Sequence, residues 1–258
     1  MTQGLSTALW GFAWRSGTRL LGLLPRRLKS TRQLARESLR RGAIQKVGEL
    51  GALLTLVADQ APEVVVEVGT ARGGTLWAFC QVASPNAVVA AIDLPLYLPA
   101  ADEELESLAR ADQTLVLLRR DSHSEETRDD LVRSLEGRPV DFLFIDGDHS
   151  YEGVKRDFEL YAPLVRPGGL VAFHDILPHP NVPHPSVQAS EVDRFWEEIK
   201  PGYRHDELVR LKRERVLGRW GGIGVIYWEG TTSGAGDRGE VTGDDALALR
   251  PGTDHRHG

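Results

Sequence analysis

A chain of 258 residues, 41% hydrophobic and 26% charged, has the make-up of an ordinary globular protein and enough length for a full core, in one domain or two. Its net charge of -6 gives no ground for a nucleic-acid binder. No run is long enough to span a membrane, and Met1–Trp14 lacks the basic and apolar regions of a signal peptide. The single cysteine, Cys80, excludes an internal disulfide and fits a reducing, cytoplasmic compartment. In "TLWAFCQVA" it reads as a buried core residue.

The chain begins with a basic extension. Residues 1–47 hold ten bases against one acid, Glu37. "RSGTRLLGLLPRRLKSTRQLARESLRR" is amphipathic. It reads as a helical cap with a solvated arginine face; the alternative is a surface that docks on a membrane or on a second copy of the chain. From about Val64 short apolar runs alternate with helix-like segments. "EVVVEVG" is a strand buried on both faces. "TLWAFCQVA" is a helix, "AVVAAIDL" a strand, "EELESLARA" a helix and "TLVLL" a strand. "SEETRDDLVRSLEG" is a helix with Ser124 as N-cap and Gly137 as its stop. "VDFLFID" is a strand, "YEGVKRDFELYAPLV" a helix, "PGG" a turn and "LVAFHDI" a strand. The order predicts an α/β fold with a doubly wound, mostly parallel sheet. "LPHPNVPHPSVQAS" has the length of a lid or binding loop. "EVDRFWEEIK" is a helix, and "HDELVRLKRERVLGRW" and "GGIGVIYW" are paired strands. Three segments result: the extension 1–47, a main domain 48–229, and a tail 230–258 whose composition predicts disorder.

The chemistry gathers at the strand ends. Gly69, Gly73 and Gly74 follow the first strand, where glycines permit a tight turn and close approach to a ligand. The spacing is not G-x-G-x-x-G, because Ala71 holds the middle place. Glu67 stands just ahead of the loop, where an acid would repel a diphosphate and suit a cation. Asp93 ends the second strand, placed to accept ribose hydroxyls. Asp121 and Ser122 follow the third, placed for an adenine edge. A ligand with an adenosine and a positively charged end, such as S-adenosylmethionine, satisfies all three. Asp146 ends "DFLFID", and His174 and Asp175 end "LVAFHD". On neighbouring strands these three suit a divalent cation, Mg²⁺, Mn²⁺ or Fe²⁺. A calcium loop is excluded, because Tyr151 stands where that loop requires glycine. A D-x-D sugar-nucleotide site, hence a metal-dependent glycosyltransferase, stays open as an alternative, as does a non-catalytic adenosyl-binding scaffold.

Together "VVVEVGTARGGT", "AAIDLP", "FIDGDHSYEGVKRDFELYAPLVRPGGLVAFHD" and "FWEEIK … GGIGVIY" resemble class I S-adenosylmethionine-dependent methyltransferases. The nearest likeness is to the D-G-D-H-x-Y branch, with the macrocin and mycinamicin sugar O-methyltransferases and the cephalosporin hydroxylase-like proteins. The resemblance covers roughly residues 45–228. It implies a seven-stranded Rossmann-like sheet with a last antiparallel strand. It implies a cofactor site of Glu67, Gly69, Thr70, Gly73, Gly74, Asp93, Asp121 and Ser122, and a metal set of Asp146, His174 and Asp175. The sugar methyltransferases usually carry two acids where this chain has His174-Asp175. His149 matches the general base of one such enzyme, and an imidazole titrating near pH 6.5 suits that task. Asp148 is the second candidate base. The implied acceptor is a hydroxyl on a small molecule, a sugar or a natural product.

Overall fold

The computed structural model describes residues 29–95, 107–178, 190–209 and 221–230. The helix expected at "EELESLARA", the lid-like loop and the tail lie wholly or mostly outside these residues. Two helices, α1 (Thr31–Arg40) and α2 (Val47–Gln60), precede the alternating part. There follow β1 (Val64–Val68), α3 (Gly74–Val82), β2 (Val88–Asp93), β3 (Thr114–Arg119), α4 (Glu125–Ser134), β4 (Val140–Ile145) and α5 (Tyr151–Tyr161). The last elements are β5 (Val165–His174), α6 (Val192–Ile199), β6 (His205–Leu208) and β7 (Ile223–Tyr227).

The seven strands run in the order β3-β2-β1-β4-β5-β7-β6. All pairings from β3 to β5 are parallel, and β7 is antiparallel to both β5 and β6. This is the Rossmann-like doubly wound sheet expected from the sequence. The order reverses between β1 and β4, which opens a crevice beyond their carboxyl ends. Every residue of β1 is buried, as a central parallel strand with both faces covered requires. Alternate side chains serve two cores. Val65, Phe142 and Phe144 pack toward α1, α2 and α3, with Phe79 edge-on to both phenylalanines. Val64, Val66 and Val68 pack on the opposite face with α4, α5 and α6.

Some local expectations changed in detail. The "PGG" segment lies inside β5 rather than between elements, and the register with β4 shifts between Val140 and Phe142. The glycines absorb that irregularity, Gly168 at φ +82. Ser124 does stand at the N-cap of α4, but its side chain closes no capping bond. Residues 1–28 of the basic extension lie outside the described residues; Thr31–Arg40 form α1, where the N-cap Ser30 and Gln33 make a capping box. Its Leu34, Ala35 and Ser38 are buried, so this helix is sealed into the same core as α2 and α3. On β7, Gly224 makes room for Trp196, since a Cβ there would lie 2.7 Å from the indole.

Candidate functional site

The tips of β1, β2, β4 and β5 surround one cavity of about 820 Å³. Its wall includes Gly69, Thr70, Gly74, Asp93, Asp121, Ser122, Asp146, Asp148, His149, His174 and Asp175. Two residues expected at the cofactor lie behind that wall. Gly73, at φ 77, is the N-cap of α3, and Glu67 is fully buried.

The glycine loop is a cradle in the physical sense. Gly69 sits at φ +86, and a Cβ there would collide with the Asp146 carbonyl, so the first loop and the D-G-D-H turn touch backbone to backbone. The Asp146 N–H donates to the Val68 carbonyl at 2.8 Å and the Gly69 N–H to that of Ile92 at 2.9 Å. Asp93 helps to build the loop itself. Its Oδ2 accepts from the N–H groups of Thr70 at 2.8 Å and Ala71 at 2.7 Å, and its Oδ1 from Leu94 at 2.7 Å. Glu67 shares the face of β1 that looks to α3. Burial pushes its carboxyl up to about 8, opposed by the nearby hydroxyls of Thr75 and Thr70. Neither of its oxygens has a hydrogen-bond partner. An orphan buried carboxyl under a glycine cradle fits a cationic ligand above it.

At the other end, Asp146 is the hub. His174 Nδ1 lies 3.1 Å and His149 Nε2 3.2 Å from its Oδ1. Gln45 Nε2 donates to its Oδ2 at 2.6 Å. Burial alone would raise the Asp146 pKa, but the two imidazoles outweigh it and hold the carboxyl down to about 2. Burial likewise works against the His174 cation, but Asp146 overcomes it and lifts His174 to about 9. The hydrogen bond with Asp146 raises His149 above its ordinary range, against the opposing effect of burial. His149 Nδ1 also faces Asp175 Oδ2 at 3.5 Å. Asp175 adopts φ 62, a left-handed conformation that aspartate tolerates better than most residues.

Among the described residues, the group whose ligand atoms converge within 4.8 Å of one another is Asp146, His149 and Asp175. The sequence had suggested Asp146, His174 and Asp175. His174 stands beside this group, its Nδ1 3.1 Å from Asp146 Oδ1 and 3.5 Å from Asp175 Oδ1, with its Nε2 directed toward Gly221. Asp148, the second candidate base, orders backbone instead, since its Oδ1 accepts from the Ser150 N–H at 2.8 Å. Ser150 then caps α5 by accepting from the Gly153 N–H. Tyr151 is nearly buried; its hydroxyl donates to Glu198 at 2.6 Å and its ring packs on Phe195.

Three contributors were invisible to the sequence reading. Gln45, in the link ahead of α2, and Glu49, in the first turn of α2, are two of them. The Oε2 of buried Glu49 accepts from the Gly222 N–H at 3.1 Å. The third is Asp157, behind the Asp121-Ser122 end of the cavity. The α5 side chains staple the β3–α4 loop: Arg156 Nε donates to the His123 carbonyl at 3.2 Å and the Tyr161 hydroxyl to the Ser122 carbonyl at 2.6 Å. Asp157 lies between them, fully buried, its Oδ1 3.7 Å from His123 Nε2. Burial raises it to about 6, against the opposing pull of Ser122 and His123. A carboxyl with a folded pKa above its unfolded value carries no penalty below the unfolded pKa. The penalty grows through the window from 3.8 to about 6 and reaches roughly 3 kcal/mol above it. Asp157→Asn is therefore expected to gain stability over the wild type as pH rises from 3.5 to 7.5. Thermal unfolding across that range checks this; a difference that does not change with pH contradicts it.

The family described as "Methyltransferase domain" matches residues 66–176. An uncharacterized protein of Sinorhizobium fredii, y4gI, is 33% identical over 133 residues, 46% of this chain and 14% of that protein. Uncharacterized protein R132 of Acanthamoeba polyphaga mimivirus is 33% identical over 114 residues, 43% of this chain and 50% of the relative. The chain thus spans half or less of these relatives' own length. Among solved structures, the O-methyltransferase TomG from Streptomyces achromogenes, in complex with SAM, is 17% identical with a TM-score of 0.51, over 83% of this chain and 96% of that one. Cofactor-bound Rv0187 from MTB is 18% identical with a TM-score of 0.54, over 83% and 96%. Residues 66–176 are thus similar to a methyltransferase domain, and the chain shares the fold of these two solved structures. No helix among the described residues is long and apolar enough to cross a membrane.

Proposed function

We propose that this chain is an S-adenosylmethionine-dependent O-methyltransferase acting on a hydroxyl of a small molecule, a sugar or a natural product. The observation that carries the reading is the meeting, in one cavity, of a glycine cradle over Glu67 with His149 held between Asp146 and Asp175. When bound, S-adenosylmethionine supplies a methyl group already activated on a sulfonium. The residues therefore have two tasks, placement and activation of the acceptor oxygen. Gly69 lets the backbone come close to the methionine part. Asp93 keeps the loop in shape through its bonds to Thr70 and Ala71. His149 would take the acceptor's proton as the O–H bond breaks and the methyl passes from sulfur to oxygen, the S–CH₃ electron pair staying on sulfur in the departing S-adenosylhomocysteine. Asp146 and Asp175 stabilise the imidazolium that results.

The same three side chains suit a divalent cation, which would lower the pKa of a bound hydroxyl. His149 serves either as ligand or as base, so the metal dependence of the reaction separates the two roles. Titration calorimetry with S-adenosylmethionine, with and without Mg²⁺, tests the proposal. Binding of one cofactor per chain is expected in both conditions, and heat from Mg²⁺ alone marks a cation site. Absence of cofactor binding removes the proposal.

A further inference from the structure

We propose that Gln45 is a positioning residue of this site: it holds the Asp146 carboxylate in one rotation. The inference rests on the reading of Asp146 given above. Gln45 belongs to the link between α1 and α2, 101 positions away in sequence, and its Nε2 reaches Asp146 Oδ2 at 2.6 Å. The orientation of the amide follows from chemistry, because its oxygen turned to the carboxylate would set lone pairs against lone pairs. A carboxylate at a strand tip otherwise turns readily about its last torsion. Here Oδ1 is occupied by His149 and His174, and Gln45 alone among the described residues bonds Oδ2 by a side chain.

The clamp has a fixed base. The Ala43 N–H donates to the Ser38 carbonyl at 3.1 Å, and Ser38 Oγ donates to the Gly74 carbonyl at 2.8 Å. The link is thus tied to the first residue of α3, at the end of the glycine loop. One turn beyond Gln45, Glu49 accepts from Gly222 ahead of β7. Gln45 therefore sets Asp146 relative to the cradle that carries the methyl donor. Packing does not explain an amide at this place. Gln45 is 4% exposed, and its Oε1 is buried without a partner. A buried acceptor left unpaired lowers stability, and a methionine would fill the same space without that loss. The site keeps the amide for the donor it presents to Asp146.

Two measurements test this. In ¹⁵N–¹H spectra of the full chain, the Gln45 side-chain amide is expected well downfield of ordinary glutamines, and to return to the ordinary region in Asp146→Asn. A Gln45 amide at ordinary positions in the wild type overturns the proposal, whatever the activity. In Gln45→Met, kcat is expected to fall by roughly 10- to 100-fold, with the acceptor KM and the affinity for S-adenosylhomocysteine within about twofold of wild type. A residue of purely structural importance would lower the melting temperature and leave kcat per active chain unchanged, and that result also overturns the proposal. A wild type that binds no S-adenosylhomocysteine and transfers no methyl group defeats the methyltransferase reading instead; the amide resonance still decides the clamp.

Discussion

Replacing Glu67 with glutamine is expected to make the protein more stable and its cofactor affinity lower. Glu67 is fully buried, and burial has pushed its carboxyl from 4.5 up to about 8. The linkage has a definite sign. Below pH 4.5 the group is protonated in folded and unfolded chains alike and carries no penalty. As pH rises toward 8 the unfolded chain releases the proton and the folded chain keeps it, so stability falls. At pH 7 the accumulated cost is on the order of 3 kcal/mol. Glutamine has the same shape and no ionisable proton, and its amide lies close to the Thr70 and Thr75 hydroxyls. The melting temperature at pH 7 is expected to rise by several degrees, with the gain disappearing near pH 4. Calorimetry on the same variant is expected to show cofactor binding weakened by about 10-fold or more, since a sulfonium or ammonium would draw the proton off Glu67 and pair with the carboxylate, and glutamine has no such charge to form. Wild-type affinity in Glu67→Gln would show that the carboxyl has no part in cofactor binding.

Asp146→Asn is expected to cause the largest loss of activity, on the order of 10³-fold in kcat. The carboxylate accepts from three side chains at once: Gln45, His149 and His174. An asparagine would turn an NH₂ toward at least one of these donors. The melting temperature should fall as well, because charge-assisted bonds contribute about 1.5–3 kcal/mol each. Two pH effects follow. His174, lifted from 6.5 to about 9 by Asp146, gives stability that is full below pH 6.5 and lost as pH rises through 9. Asp146, lowered from 3.8 to about 2, gives stability present above 3.8 and lost as pH falls through 2. The two describe one pair, so the contribution is counted once and is complete between about pH 4 and 6.5. The acid limb of the residual rate should also move to lower pH, because Asp146 is what raises His149. An unmoved acid limb would mean that His149 is not the base.

Much of this was legible because strand tips are local features. "VVVEVG", "AAID", "DFLFID" and "LVAFHD" announce buried strands by continuous apolar runs, and each ends on the residue that faces the crevice. Their alternation with helices announces a parallel sheet, while the strand order, and with it the neighbouring of the Asp146 and His174 strands, came from the structure. Three matters could not be read. Gln45, in an unremarkable link, and Glu49, in α2, precede the first strand, and only the packing of α1 and α2 brings Gln45 to Asp146 and Glu49 to Gly222. Asp157 looks like any polar position of an amphipathic helix until α5 is laid against the β3–α4 loop. The choice of His149 over His174 for the converging group depends on side-chain direction and on the left-handed backbone of Asp175, which sequence spacing does not encode.

The staples on α5 carry a thermodynamic consequence. Its first turn follows His149 and is capped by Ser150, while Arg156 and Tyr161 grip the carbonyls of His123 and Ser122. One rigid rod thus touches both ends of the same cavity, the His149 end proposed for the acceptor and the Ser122-His123 end proposed for the adenosyl group. Occupants of the two ends then do not bind as strangers. If a bound adenosyl group changes the affinity for the acceptor by some factor, the acceptor must change the affinity for the adenosyl group by that same factor. Reciprocity of this kind would hold for the spent cofactor as well, so departure of the methylated product would set how readily S-adenosylhomocysteine leaves.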